Sequence, residues 1–207
     1  MKFELLGYQW LMVIVLLITV TSLMLSQKYG LCWFKIPLGS CFILYFWLIF
    51  NFIICFWELI IIENKEKLHL PEKNFYLESY SWKDLLSSKF WVEGWNRYLM
   101  ADPRYGDPKD SVFRYELFNV LSSLIPSAYL MYQLTTRNAQ VKEKDLFRFF
   151  FFYSLLQVAG VFFYFESYFQ KYGLKYIAWD KKEEVIYLGL SLLWFLFPVY
   201  LISVSMQ

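Results

Sequence analysis

Seven side chains that could do chemistry interrupt the long apolar runs of this chain: Glu58, Glu116, Asn119, Gln157, Glu166, Ser191 and Trp194. Ionisable and amide groups are expensive at membrane depth and mark functional sites there by default. Glu58 lies late in one apolar run and Glu116 lies early in the next, so two antiparallel helices would bring their carboxyl groups to one pocket. A protonated carboxyl group can deliver a proton, and an ionised one can stabilise a cation. The two glutamates are therefore the candidate acid–base pair.

A purely structural interpretation of the same glutamates stands beside this one. Each could lie within one helical turn of water and pair with Arg114 or Arg148, because helix ends in membranes tolerate charge when long side chains reach the interface. The run of four phenylalanines at 149–152 is typical of a lipid-facing or core surface rather than of a ligand cage.

Five apolar segments are long enough to hold these residues in membrane-spanning helices. The chain is 58% hydrophobic and 23% aromatic, and its 18% of charged residues crowd into a few stretches. A spanning helix needs about 20 mainly apolar residues. The segments are residues 8–26, 39–62, 112–133, 146–170 and 184–206. We therefore predict an all-α integral membrane protein, a bundle of five transmembrane helices.

The connection between the second and third predicted helices is long and amphipathic. Within it, residues 85–100 place Leu86, Phe90, Trp91, Trp95 and Leu99 at near-helical spacing. This pattern predicts a short helix lying along the membrane interface.

Several classes of partner and cofactor are not expected. The net charge of +2 is too small to indicate nucleic acid as a partner. The three cysteines, Cys32, Cys41 and Cys55, form no CxxC pair, and the single His69 does not complete a zinc site with them. We predict no cofactor and no metal site. The first apolar run is too long for a signal sequence and has no small-residue cleavage site, so we interpret it as a retained helix.

The distribution of basic residues favours one orientation. Thirteen Lys and Arg residues outside the predicted helices lie on the N-terminal side of the membrane, against five on the other side. Positive residues favour the cytoplasmic side, although the rule weakens for long loops. This count predicts that the N-terminus faces the cytoplasm or an equivalent compartment.

Short motifs in the chain resemble the EXPERA family, which includes the emopamil-binding sterol isomerases. The first motif is Tyr98 followed by Asp102-Pro-Arg104-Tyr105, just ahead of the helix that carries Glu116. Further matches follow in order: Pro126, Gln157 with Gly160, Tyr164-Phe165, and Trp194 with Pro198. The resemblance covers roughly residues 40–205.

This resemblance implies an EXPERA-type bundle around an apolar cavity for a sterol-like ligand. By position, Glu58 and Glu116 match the family's catalytic carboxylates, and the ligand-binding positions are Asn119, Gln157, Tyr164, Ser191 and Trp194. Tyr98, Asp102, Arg104 and Tyr105 form its structural motif. Residues 1–38 would be an N-terminal transmembrane helix with a short loop. Residues 39–207 would be an EXPERA-like four-helix domain with an amphipathic loop at 63–111.

Three departures from the family pattern bear on catalysis. The isomerase has a histidine four residues before its second-helix carboxylate, where this chain has Ile54. A threonine and an asparagine of the family pattern are replaced here by Asn119 and Ser191. Loss of a proton-handling group costs orders of magnitude in rate. The resemblance therefore implies a fold kept without its isomerase chemistry.

Three functions remain as hypotheses. The first is a non-catalytic protein that binds a sterol or another membrane lipid in its bundle. The second is a structural accessory subunit of a large membrane complex, in contact with neighbouring subunits. The third is an active sterol double-bond isomerase. The family suggests the endoplasmic reticulum, and the mitochondrial inner membrane is the alternative.

Overall fold

The computed structural model describes residues 4–30, 38–136, 142–173 and 182–205, and the side chains of 182–191 lie outside the described part. Six helices of two turns or more carry the fold in this part of the chain. They are α1 (Gly7–Leu25), α2 (Leu38–Glu63), α3 (Ser88–Tyr98), α4 (Val112–Thr136), α5 (Glu143–Tyr172) and α6 (Lys182–Ser205). Two strands pair with each other, β1 (Glu4–Leu6) and β2 (Ser79–Ser81).

Three of the helices are long and apolar enough to cross a membrane. These stretches are Gly7–Tyr29, Gly39–Glu63 and Lys144–Tyr172. The prediction of an all-α membrane protein is therefore confirmed, and three of its five spans are supported by length and hydropathy. Helix α4 is 25 residues long, but it is not among these three spans. Polar side chains such as Glu116, Asn119 and Gln133 lower its mean hydropathy. In α6, the residues whose side chains are described include an apolar segment, Leu192–Ser203.

Consecutive long helices run antiparallel, so chain segments distant in sequence meet at two ends of the bundle. At one end, which we call the loop face, β1 pairs with β2, and Lys171 near the end of α5 bonds Asp110 just before α4. At the opposite end, which we call the far face, Tyr200 of α6 donates to Ser40 of α2 over 2.8 Å.

The two-stranded sheet is a feature that the sequence pattern did not predict. Leu5 lies opposite Tyr80 in an antiparallel register, and the Gly7 amide donates to the Glu78 carbonyl over 3.0 Å. The indole N–H of Trp10 donates to the Tyr80 carbonyl over 2.8 Å. These hydrogen bonds join the start of α1 to the long segment between α2 and α4, although each strand has only three residues.

A helix, α3, is present within residues 85–100, where the sequence predicts an interface helix, and it is slightly shorter than expected. It begins after Ser87, whose hydroxyl accepts from the Lys89 amide over 3.3 Å as an N-cap. Phe90 and Trp95 are buried on its inner face. Leu86 precedes the helix and is 79% exposed, so it does not share that face.

Three apolar clusters pack the protein, and the smallest, Phe75, Tyr80 and Phe90, lies beside the two-stranded sheet. The other two are the larger cores, one toward each face. The loop-side core comprises Ile61, Leu68, Val92, Trp95, Leu99, Tyr105, Val112 and Phe113. The far-side core comprises Leu44, Tyr45, Trp47, Leu48, Leu130, Leu134, Leu146, Phe150, Tyr153 and Leu201. Along α2 and α4 the polar candidates lie between these two cores, and Glu58 and Glu116 lie just over one turn from the loop-face ends of their helices.

Candidate functional site

The two candidate carboxylates meet inside the bundle. Glu58 on α2 is 4% exposed and Glu116 on α4 is 7% exposed. Their carboxyl groups lie within hydrogen-bonding reach of each other. Two ionised carboxylates at such a distance repel, and a single proton between them converts the repulsion into a hydrogen bond. This arrangement can hold a proton at membrane depth.

Asn119 lies one turn after Glu116 on α4 and contacts the carboxyl pair. Its amide nitrogen donates to both carboxylate oxygens of Glu58, over 2.9 and 3.0 Å. Its amide oxygen accepts from the Ser123 hydroxyl over 3.4 Å. Asn119 is half-buried, whereas both carboxyl groups are buried. It is therefore the member of this group that a ligand reaches most easily.

Tyr105 connects Glu116 to the loop face. Its phenol donates to Oε1 of Glu116, and its ring packs edge-on against Trp95 and Phe113, with centroids 5.3 and 5.7 Å away. Tyr98 packs against the same ring at 5.6 Å. Because Tyr105 is fully buried, this hydrogen bond is made without competition from water.

The remaining motif residues form a buried ion pair beside Tyr105. The Arg104 guanidinium donates to Asp102 through Nη2 over 2.6 Å and through Nε over 2.9 Å. The Tyr164 phenol donates to the same carboxylate, and Arg104 lies 4.5 Å above the Tyr164 ring. Burial opposes the charge of Arg104, but Asp102 outweighs it and holds the pKa of the guanidinium above its ordinary value. Tyr164 therefore contacts the loop motif through Asp102 and Arg104.

A second polar group lies deeper in the bundle and is connected to the first. Gln157 on α5 accepts from the indole N–H of Trp47 over 3.2 Å and donates to Ser123 over 3.4 Å. Ser123 in turn donates to Asn119. A chain of side-chain hydrogen bonds therefore runs from the loop face to the far-side core.

Three residues that sequence reasoning missed form a further hydrogen-bonded group in the bundle. The Asn51 amide donates to the Tyr153 phenol over 2.6 Å and to Ser127 over 3.5 Å, and Ser127 lies 2.6 Å from Tyr153. All three are buried. Asn51 could have been identified from the sequence, because its amide side chain lies in the middle of an apolar run.

Trp194 lies at a different level from the carboxyl pair. Its ring packs against Trp47 and Phe50, with centroids 6.0 and 5.5 Å away. Those residues precede Glu58 on α2 by two to three turns, which is roughly 12–16 Å along the axis. The described contacts therefore do not bring Trp194 beside the two carboxyl groups. The side chain of Ser191 lies outside the described residues.

The alternative pairing of the glutamates with Arg114 or Arg148 is not seen among the described residues. Glu116 accepts from Tyr105 and lies close to Glu58, whereas Arg148 pairs with Asp145 over 3.5 Å on an exposed surface. Arg114 is exposed. Glu166, the remaining candidate, is exposed and accepts from Gln170 over 3.0 Å. It lies outside the buried network because it faces away from the bundle core.

Ile54 lies one turn before Glu58 on the same helix. Residues four apart in a helix share a face, so a side chain at 54 lies next to the carboxyl pair. An isoleucine there neither takes up nor delivers a proton. Among the described residues, no cluster of three His, Cys, Asp or Glu side chains could hold a metal ion.

No protein-family model matches this chain, and no curated protein or solved structure matches it either.

Proposed function

We propose that this chain is an EXPERA-like membrane protein of five transmembrane helices that binds a sterol or another membrane lipid within its bundle, without isomerase activity. The observation that carries the proposal is the buried Glu58–Glu116 pair with Asn119 as its more accessible member. Buried polar groups in a membrane bundle are costly and are kept where a ligand uses them.

The proposal is supported by the way the pair is held. Asn119 fixes both oxygens of Glu58, and Tyr105 fixes Glu116, so neither carboxyl group rotates freely. A preorganised polar group inside an otherwise apolar bundle suits a ligand that is mostly apolar. Membrane lipids of the sterol type have this character.

Ile54 argues against a working isomerase. Moving a ring double bond requires one group to deliver a proton and another to remove a different one. The pair Glu58 and Glu116 could hold one shared proton, but the adjacent position carries an aliphatic side chain. An active isomerase is therefore the lesser alternative, and it would depend on the two carboxyl groups alone.

A structural accessory subunit of a large membrane complex is the second candidate. One observation favours it: Glu58, Glu116 and Asn119 find hydrogen-bond partners within the chain, as groups used only for packing would. By the family resemblance the chain would reside in the endoplasmic reticulum. The mitochondrial inner membrane would suit a subunit of an organellar respiratory assembly.

Gentle detergent extraction of the native protein tests these alternatives. The eluting particle is sized, and its proteins and lipids are identified by mass spectrometry. We expect a small particle that retains a sterol or another defined lipid in stoichiometric amount. Co-migration with a large stoichiometric complex and no enriched lipid would replace lipid binding with the accessory-subunit function.

A matched pair of variants then locates the binding site. Glu58→Gln keeps the size and hydrogen-bonding capacity of the side chain but removes its charge, and Glu166→Gln makes the same change at an exposed position of α5. We expect Glu58→Gln to lower lipid retention at least several-fold and Glu166→Gln to leave it unchanged. Equal retention by both variants would place the lipid elsewhere. An isomerase assay of the wild-type protein with a sterol substrate checks the third alternative.

A further inference from the structure

Asn51 lies at the middle of the Gly39–Glu63 span and is fully buried. Its amide nitrogen donates to Tyr153 and Ser127, but its amide oxygen has no hydrogen-bond partner within the described part of the chain. The hydroxyl oxygen of Ser154, the residue next to Tyr153, is likewise buried and unpaired among the described residues. An unpaired buried polar atom is costly and requires an explanation.

The chemistry of the unpaired atom defines what would satisfy it. An amide oxygen accepts hydrogen bonds, so its partner must be a donor. The donor must reach the middle of the membrane, where the surroundings of Asn51 on α2 are apolar. A hydroxyl group on an otherwise apolar molecule meets both conditions, whereas a charged headgroup would pay a large desolvation cost there.

An aromatic surface lies beside Asn51 on α2. Its members pack between α2 and α6 with ring centroids 4.8–6.3 Å apart, and they are Phe46, Trp47, Phe50, Trp194 and Phe197. Trp47 connects this surface to the polar group, because its ring stacks on Phe197 while its indole N–H bonds Gln157. Except for Trp47, the members are only partly buried. Broad aromatic faces pack well against a flat, rigid ring system.

We propose that Asn51 determines the specificity of the lipid site by accepting a hydrogen bond from the hydroxyl group of a sterol-like ligand. The ring system of that ligand would pack on the aromatic surface of Phe50 and Trp194. This inference rests on the lipid-binding function proposed above and adds the class of lipid and the residue that selects it. In this proposal the residue that recognises the hydroxyl group, Asn51, precedes Glu58 on α2 by two turns, or roughly 10 Å.

The test compares two probes on the full-length protein in nanodiscs: a photoreactive cholesterol, and the same photoreactive sterol lacking its 3-hydroxyl group. A site built to bond a hydroxyl group rejects the analogue without it, because its own polar atom is then left unpaired. We expect wild-type protein to label with the hydroxylated probe at roughly tenfold lower concentration or better. In Asn51→Leu, the two probes should label equally well. Gln170→Leu, which removes an exposed amide from α5, should keep the wild-type preference.

The outcomes separate this inference from the proposed function. Equal labelling of wild-type protein by both probes overturns the role of Asn51 while lipid binding stands. Absence of labelling by either probe overturns sterol binding itself. The comparison of probes on wild-type protein needs no variant, so the test remains decisive even if Asn51→Leu does not fold.

Discussion

The phenol of Tyr105 donates a hydrogen bond to the carboxyl group of Glu116, and this bond joins the loop-face motif to the buried carboxyl pair. Tyr105 belongs to a short turn, Pro103–Gly106, that precedes α4. The same turn carries Arg104, which reaches α5 through Tyr164 and Ser167. One turn of chain therefore positions a carboxyl group on α4 and contacts a second helix, α5.

Tyr105→Phe should destabilise the protein while keeping its packing. The ring still fills the space between Trp95 and Phe113, but Glu116 loses a buried donor. We expect the free energy of unfolding to fall by about 1–3 kcal/mol, measured by denaturation in nanodiscs. Tyr76→Phe, at a tyrosine that is 41% exposed, is the matched control and should change stability by less than about 0.5 kcal/mol. Equal effects of the two variants would contradict a special role for Tyr105.

Arg104→Lys should be costly although it preserves charge. Arg104 and Asp102 are both buried, and the guanidinium makes several bonds that an ammonium cannot reproduce. We expect a loss of about 3–5 kcal/mol, because the substitution leaves a buried carboxylate poorly paired. Arg148→Lys tests the same change in an exposed pair with Asp145 and should cost no more than about 0.5 kcal/mol. A stable Arg104→Lys protein would show that the hydrogen-bond geometry of the guanidinium is dispensable for folding.

Gly7→Ala should detach β1 from the long connection. A Cβ atom at Gly7 would lie 2.2 Å from the Phe75 carbonyl oxygen, so the backbone must move apart. We expect faster proteolysis within residues 64–81, followed by mass spectrometry of the fragments. Gly160→Ala is the control, because a Cβ atom there meets nothing within 4 Å. Unchanged proteolysis of Gly7→Ala would mean that the strand pairing tolerates the shift.

Stability should depend on the ionisation of Asp110 in acid. Burial alone would raise the pKa of Asp110, but the hydrogen bonds from Lys171 and the Val112 amide hold it below its ordinary value. A lowered pKa stabilises the fold at pH values above the ordinary carboxyl pKa of about 3.9, and that contribution is lost as the pH falls through the folded-state pKa.

Asp110→Asn isolates this contribution. We expect a lower Tm than wild type between pH 5 and 7, with the difference shrinking as the pH falls below about 4. Asp145→Asn, at an exposed carboxylate, should follow the wild-type curve. A difference between Asp110→Asn and wild type that stays constant down to pH 3 would exclude the carboxylate charge as its cause.

The helices could be predicted because their ends follow from composition. The predicted second span, 39–62, and the observed α2, Leu38–Glu63, differ by one residue at each end. The proximity of Glu58 and Glu116 also followed from antiparallel helices. By contrast, the β1–β2 pairing joins short segments far apart in sequence, which no local pattern predicts. The position of Trp194 depends on how α6 packs against α2, and an apolar helix that is hydrophobic on every side does not reveal that from its sequence.

The strand pairing at the start of α1 has a consequence for synthesis in the cell. β1 ends at Leu6, and its partner β2 ends at Ser81. At roughly 5–20 residues per second, a ribosome needs about 4–15 s to make the intervening chain. During that interval the first helix is already long enough to enter the membrane, while its β1 edge has no complementary strand. The β1–β2 pairing therefore forms only after β2 has been made, so the start of α1 is held in place late in synthesis.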